Sequence, residues 1–275
     1  MSLLEVKKVT HAYGSLRSFW RPQTEAEVLS DVSLSIEQGT CMGLIGTSGA
    51  GKSTLGKVIL GLEKPKKGQV LFQGEDLYTM NSQMRRQVRR NLQVVFQDSY
   101  SSVNPRLTAE KIIGEPLENY ERLSASEQKR TIAQLLEQVG LRAEDMKKFP
   151  GQFSGGQLQR ISIARAIALK PKMIVLDESV SSLDMVNQTN ILKLLDELKD
   201  QYGLSYLFIT HDIRAAYSIS DTLTVLEKGR IVETYYDKDE IFTSPQPAVK
   251  NLVASILPEH PRNRTIANGK HFVQV

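Results

Sequence analysis

The chain has 275 residues, 40% of them hydrophobic and 24% charged, with a net charge of +4. That balance supports a sizeable core and excludes a disordered chain, and no run of 18 apolar residues is present to cross a membrane as a helix. The opening residues Met1 to Val6 lack the basic start and apolar block of a secretory leader, and the single Cys41 has no partner for an internal disulfide, so a cytoplasmic protein is expected. The small basic excess suits handling of a polyanion or a place near an acidic membrane surface, and is by itself no sign of nucleic acid.

In chain order, the β-branched runs at 3–6, 32–36 and 41–45 read as strands. A helix is expected over 52–62, a strand over 70–72, and a helix over 83–90 whose run Arg85-Arg86-Gln87-Val88-Arg89-Arg90 is a solvated face. A strand over 92–96 follows. From about 98 to 162 no strand signal occurs, while 108–117 and 127–139 are helical, the second opened by the capping box Ser124-Ala125-Ser126-Glu127. Then come a helix over 162–169, a strand over 173–176, a helix over 187–202, a strand over 206–209, a helix over 213–219, and strands over 223–226 and 230–233. Pro245, Pro247, Pro258 and Pro261 mark a short helix and a loose tail. This alternation predicts an α/β core with a helical subdomain inserted at about 98–162, one domain over 1–258, and a tail over 259–275.

Three clusters carry chemistry. Gly46-Thr47-Ser48-Gly49-Ala50-Gly51-Lys52-Ser53 matches the phosphate-binding pattern G-x-x-x-x-G-K-[ST], between an apolar strand and a helix. Small residues let the backbone wrap phosphates, and the helix end contributes roughly half a positive charge. Lys52 is expected to reach the outer phosphates and Ser53, followed by Thr54, to hold Mg²⁺. Met173-Ile174-Val175-Leu176-Asp177-Glu178 is a buried strand ending in two carboxylates, at the strand end where such sheets bind ligands. Asp177 is expected to hold the Mg²⁺ through water, and Glu178 to be the base for the attacking water. Phe153-Ser154-Gly155-Gly156-Gln157 opens another helix and makes a second anion-binding helix N-terminus.

Together these residues resemble the ATP-binding-cassette family over about 3–258. The resemblance implies a P-loop NTPase core of that type, with an antiparallel β subdomain and the inserted helical subdomain, acting as an ATPase on ATP and Mg²⁺. It further implies that Gln97 senses Mg²⁺ and the attacking water, and that Ser154, Gly155, Gly156 and Gln157 grip the nucleotide of a partner subunit. Asp184, in Ser182-Leu183-Asp184, would link the two sites, and His211 would contact the γ-phosphate. Tyr13 would stack on adenine, with Phe19 or Trp20 of an extra loop at 15–27 as alternatives. Two positions depart from the pattern: Phe153 replaces the usual Leu, and Ser179 replaces the Pro that commonly follows the carboxylate pair.

Val95-Phe96-Gln97-Asp98-Ser99, Val103-Asn104-Pro105-Arg106 and Glu178-Ser179-Val180-Ser181-Ser182-Leu183-Asp184 resemble the peptide and nickel importer branch, its nickel-import ATPases most of all. A cysteine-held iron–sulfur centre, found in many peptide-importer ATPases, needs more than Cys41. The branch implies a second, related ATPase subunit, two membrane permeases docked near 97–106, an extracytoplasmic solute-binding protein, no nucleic acid, and a peripheral place on the cytoplasmic face of the bacterial membrane. A dipeptide or oligopeptide importer ATPase is the alternative. A repair or chromosome ATPase would need a long coiled coil between Gln97 and Ser154, a tandem translation factor two phosphate loops, and a metabolic kinase no Ser154-Gly155-Gly156-Gln157 motif.

Overall fold

The structure is a computed structural model that describes residues 2–14, 26–181 and 183–254. Phe19, Trp20, Ser182, most of the 15–27 loop and the 259–275 tail lie outside the described residues.

Two sheets share the described chain. The antiparallel one has the order β2-β1-β4-β5, from β1 (Ser2–Tyr13), β2 (Ala26–Glu37), β4 (Lys67–Phe72) and β5 (Glu75–Asp76). β1 outruns the expected 3–6 because its alternation does not stop at Val6. Lys8 takes a left-handed φ of 48°, the register slips between Val6 and Val9, and Val9 is buried again. The two-residue β5 carries too little pattern to be read in sequence.

The second sheet has the order β10-β9-β3-β8-β7-β6. Its members are β3 (Cys41–Ile45), β6 (Leu92–Val95), β7 (Met173–Asp177), β8 (Ser205–Thr210), β9 (Thr222–Glu227) and β10 (Arg230–Tyr235), all parallel except the β9–β10 hairpin. Every residue of β3 and β8 is buried, as expected of strands covered on both faces. β3 and β8 are neighbours and β7 lies beside β8, so the loop after β3 and the carboxylates after β7 emerge at one end of the sheet.

Helix α1 (Lys52–Ile59) packs Leu55, Val58 and Ile59 into the core between the sheets. It is shorter than the expected 52–62: Gly61 adopts φ 70° and the Leu62 amide turns back to the Lys57 carbonyl at 2.9 Å. The Tyr78 hydroxyl also donates to the carbonyls of Val58 and Glu63 there.

The other face of the six-stranded sheet carries a core formed largely by helices. α2 (Ser82–Asn91) precedes β6; α3 (Ala109–Tyr120), α4 (Ala125–Gln138) and α5 (Gly155–Ile167) follow it. The capping box at Ser124 forms. α5 begins at Gly155 and joins the helix start expected at the glycine motif to the helix expected over 162–169; Ser154 caps it, the Gln157 amide donating to Ser154 Oγ at 3.3 Å and the Ser154 amide to Gln157 Oε1 at 3.0 Å. α6 (Met185–Tyr202), α7 (Ile213–Ile219) and α8 (Pro247–Ala254) complete the order.

Candidate active site

The first part of the site is the turn between β3 and α1. Gly46 has no room for a side chain: a Cβ there would lie 2.2 Å from the Leu226 carbonyl oxygen. Gly49 and Gly51 hold φ of 78° and 103°, a region that favours glycine. The result is a loop folded tightly on β9, opening α1 without a side-chain cap, so its first N–H groups are left for a ligand.

Lys52 is held inside the loop. In the described structure it is only 4% exposed. Its ammonium donates to the carbonyl oxygens of Gly46 at 2.8 Å and Thr47 at 3.0 Å, so it braces the loop from inside. Burial lowers its pKa, opposed by the charges of Glu178 and Asp177.

The second part is the end of β7. Ser53 Oγ donates to Asp177 Oδ1 at 3.0 Å, which joins the loop and the carboxylates. Burial pushes the Asp177 carboxyl above its ordinary pKa; the Ser53 hydrogen bond opposes this, Glu178 adds to it, and Lys52 and Lys57 oppose it. Glu178 takes a left-handed φ of 47°, uncommon for a residue with a side chain. That conformation is over-determined. Its amide donates to the Ile209 carbonyl at 2.9 Å, and its own carbonyl accepts from the Ser181 amide at 3.2 Å and the Ser181 hydroxyl at 2.8 Å. Its carboxylate then meets His211 Nδ1 at 3.4 Å. Ser179 is 1% exposed and its hydroxyl has no partner among the described residues.

The remaining residues fall into two groups. Gln97 is exposed, two residues past Val95, which pairs with Leu176 in the adjacent strand. Tyr13 ends β1 at 40% exposure, its hydroxyl 3.5 Å from Thr54 Oγ1 and its ring edge-on to His11 with centroids 4.9 Å apart. Ser154, Gly155 and Gln157 are exposed at the start of α5, and a Cβ on Gly155 would meet nothing within 4 Å. Gly156 is buried against α6, where a Cβ would lie 3.1 Å from Asn187 Oδ1. Asn187 in turn bonds Asp184 Oδ2 at 2.5 Å, and its amide donates to Asp184 Oδ1 at 3.0 Å, so the Asp184 turn and the α5 N-terminus are in contact. Gln188 Nε2 donates to Asp212 Oδ2 at 3.0 Å, a link from α6 to the turn after His211 that no sequence pattern signals.

The family model described as ABC transporter matches residues 29–181. The chain belongs to the ABC transporter ATPase family. Nickel import ATP-binding protein NikE of Shigella dysenteriae serotype 1 (strain Sd197) is 41% identical over 266 residues, 96% of this chain and 98% of that one. The protein of the same name from Escherichia coli (strain K12) has the same identity and coverage. Among solved structures, the ATP-binding cassette MJ0796 in a dimeric post-hydrolysis state with ADP and Pi matches with a TM-score of 0.75 at 28% identity, covering 85% of this chain and 98% of that one. CbiO1 from Clostridium perfringens, part of the ABC transporter complex cbiONQ, matches with a TM-score of 0.74 at 25% identity, covering 88% and 91%. The ABC-type fold expected from the motifs is therefore the observed one, and this family is one of ATPases. No described helix is long and apolar enough to cross a membrane.

Proposed function

We propose that the chain hydrolyses ATP to drive import of nickel, alone or as a chelate, as the ATPase subunit of a transporter. The observation that carries hydrolysis is the junction of two motifs: Ser53 at the mouth of the phosphate loop bonds Asp177, and the next residue, Glu178, faces His211. The nickel assignment rests on likeness to nickel import ATP-binding proteins along nearly the whole chain.

In this reading Gly46, Thr47, Ser48, Gly49, Ala50 and Gly51 present backbone N–H groups to the phosphates, with Lys52 supplying the charge and Thr54 continuing the helix start. Tyr13 supplies an aromatic face for adenine. Ser53 and Asp177 would hold Mg²⁺, with Gln97 approaching from the end of β6. Their oxygens lie 3.0 Å apart, a hydroxyl and a carboxylate of the oxygen-donor kind that Mg²⁺ takes, and Asp177 would hold it through water. The bound ion would neutralise charge on the transferring phosphoryl group. Glu178 accepts a proton from the attacking water, and His211 orients that carboxylate and the γ-phosphate.

Ser154, Gly155, Gly156 and Gln157 stand open to a nucleotide held by another subunit. A second, related ATPase completes the pair, two permeases dock near 97–106, and a solute-binding protein delivers cargo from outside. This places the chain peripherally on the cytoplasmic face of the bacterial membrane. In this reading one domain spans 1–258, with its helical insert at about 98–162, and 259–275 is a tail.

The test is uptake in cells lacking this chain. Wild-type chain should restore accumulation of radiolabelled nickel, and Glu178→Gln should not. Restored uptake of labelled dipeptide, with nickel uptake unchanged, would replace the nickel reading with that of a peptide importer.

A further inference from the structure

His11 stands on β1 two residues before Tyr13 and is only 4% exposed. Its Nδ1 lies 3.1 Å from the Lys64 carbonyl oxygen. A carbonyl only accepts, so Nδ1 carries the proton and Nε2 holds the lone pair. Nε2 is buried and has no hydrogen-bond partner among the described residues. A buried acceptor without a donor costs stability, so packing alone would favour an apolar side chain here. The imidazole offers something else: a flat ring with one anchored nitrogen. That ring meets Tyr13 edge to face, with centroids 4.9 Å apart and planes at 85°.

The backbone shows why Tyr13 needs a brace. The pairing of β1 with β2 slips on both sides of His11, between Val9 and His11 and again between His11 and Ala12. A strand end with slipped register does not by itself fix the direction of its last side chain. The segment that anchors His11 is itself held. The Lys66 amide donates to the Thr10 carbonyl at 2.8 Å. The Tyr78 hydroxyl donates to the Glu63 carbonyl at 2.6 Å and to that of Val58, in the last turn of α1. At the other end of α1, Thr54 Oγ1 lies 3.5 Å from the Tyr13 hydroxyl. The place of Tyr13 is thus referred to both ends of the helix that the phosphate loop opens.

We infer that His11 is a positioning residue that holds the Tyr13 ring where it meets the base of a nucleotide seated on the phosphate loop. The Lys64 carbonyl, the imidazole and the Tyr13 ring act in series, so cutting either contact of His11 releases Tyr13. This rests on the proposed role of Tyr13, and the experiment separates the two.

His11→Asn keeps a donor for Lys64 and removes the ring, whereas His11→Phe keeps a ring and removes the donor. The full chain is titrated calorimetrically with Mg²⁺–ATP and with Mg²⁺–tripolyphosphate, which has the phosphates but no base. Both His11 variants, Tyr13→Ala and each combination with Tyr13→Ala are compared. The expected result for both His11 variants is a Kd for ATP higher by about threefold or more, not exceeding the rise for Tyr13→Ala, with tripolyphosphate within about twofold of wild type. On the Tyr13→Ala background either His11 change should add less than about twofold. In the assembled transporter the same variants should raise KM for ATP and leave kcat unchanged. If His11→Phe does not fold, His11→Asn decides. Tripolyphosphate affinity that falls as far as ATP affinity, or losses that multiply with Tyr13→Ala, would overturn the role of His11 alone. So would unchanged ATP affinity in either His11 variant while Tyr13→Ala binds ATP weakly. A Tyr13→Ala chain that binds ATP like wild type would overturn it together with the adenine reading beneath it.

Discussion

Two helices of this chain begin with glycine-rich turns, and they are built in opposite ways. At α1 the turn is closed on itself: Lys52 is buried and bonded to two loop carbonyls, Gly46 has no space for a Cβ, and Ser53 is tied to Asp177. At α5 the turn is open. Ser154 and Gln157 cap each other, and Gly155 faces empty space. A phosphate site needs charge, donors and a wall. The first turn has all three within itself, whereas the second presents its start to open space at Gly155. The contrast fits the proposal that the α1 turn is a site and the α5 turn is half of one, completed by a nucleotide held on another subunit.

The sharpest way to break that contrast is Lys52→Ala. It removes the charge from the closed turn, and ATP affinity should fall at least about a hundredfold, of the size expected for a phosphate-binding charge in a partly dry site. Because Lys52 also braces two carbonyls, a loss of about 1–2 kcal/mol of stability should accompany it. Isothermal titration and thermal melts read both effects.

Next in size is a pair of matched substitutions. Gly46→Ala drives a methyl into the Leu226 carbonyl and should cost about 1–3 kcal/mol, or several degrees of Tm. Gly155→Ala meets nothing and should leave Tm within about a degree, apart from any effect on turnover in the assembled transporter. Equal melting temperatures for the two would erase the difference between the turns.

Asp177→Asn probes the closed turn by charge. The folded pKa of Asp177 lies above its unfolded value, so its contribution to stability is full below the unfolded pKa and is lost as pH rises through the folded one. At neutral pH the ionised carboxylate therefore costs stability. The Asn variant should melt slightly higher than wild type, by about 1–3 °C, while losing Mg²⁺-dependent turnover. The gain in Tm should shrink in acid.

The elements that sequence could reveal are those whose chemistry demands particular residues. A loop around phosphate needs Gly46, Gly49, Gly51, Lys52 and Ser53 in order, and a buried strand ending in two carboxylates stands out wherever it occurs. What stayed illegible depends on neighbours distant in sequence. That Lys52 is buried and bonded to the Gly46 and Thr47 carbonyls depends on how the loop closes over it. Glu178 shows no sign of its left-handed backbone, because Ile209 and Ser181 impose it. β1 was visible only up to the bulge at Lys8, where the alternation changes phase.

The smallest effect belongs to Tyr13→Ala. Stacking is uniform binding, so KM for ATP should rise about three- to tenfold with kcat nearly unchanged. A fall in kcat instead would give Tyr13 a part in the chemistry through Thr54.

The central claim is that the open turn at α5 completes a nucleotide site on another subunit. Glu178→Gln chain, which should bind ATP and hardly cleave it, is mixed with the second ATPase subunit of its transporter and followed by size-exclusion chromatography with ATP and Mg²⁺. The predicted result is an ATP-dependent shift to the mass of a pair, abolished by adding Gly155→Glu while ATP binding persists. A pair that forms equally well without ATP, or that survives Gly155→Glu, would contradict the account.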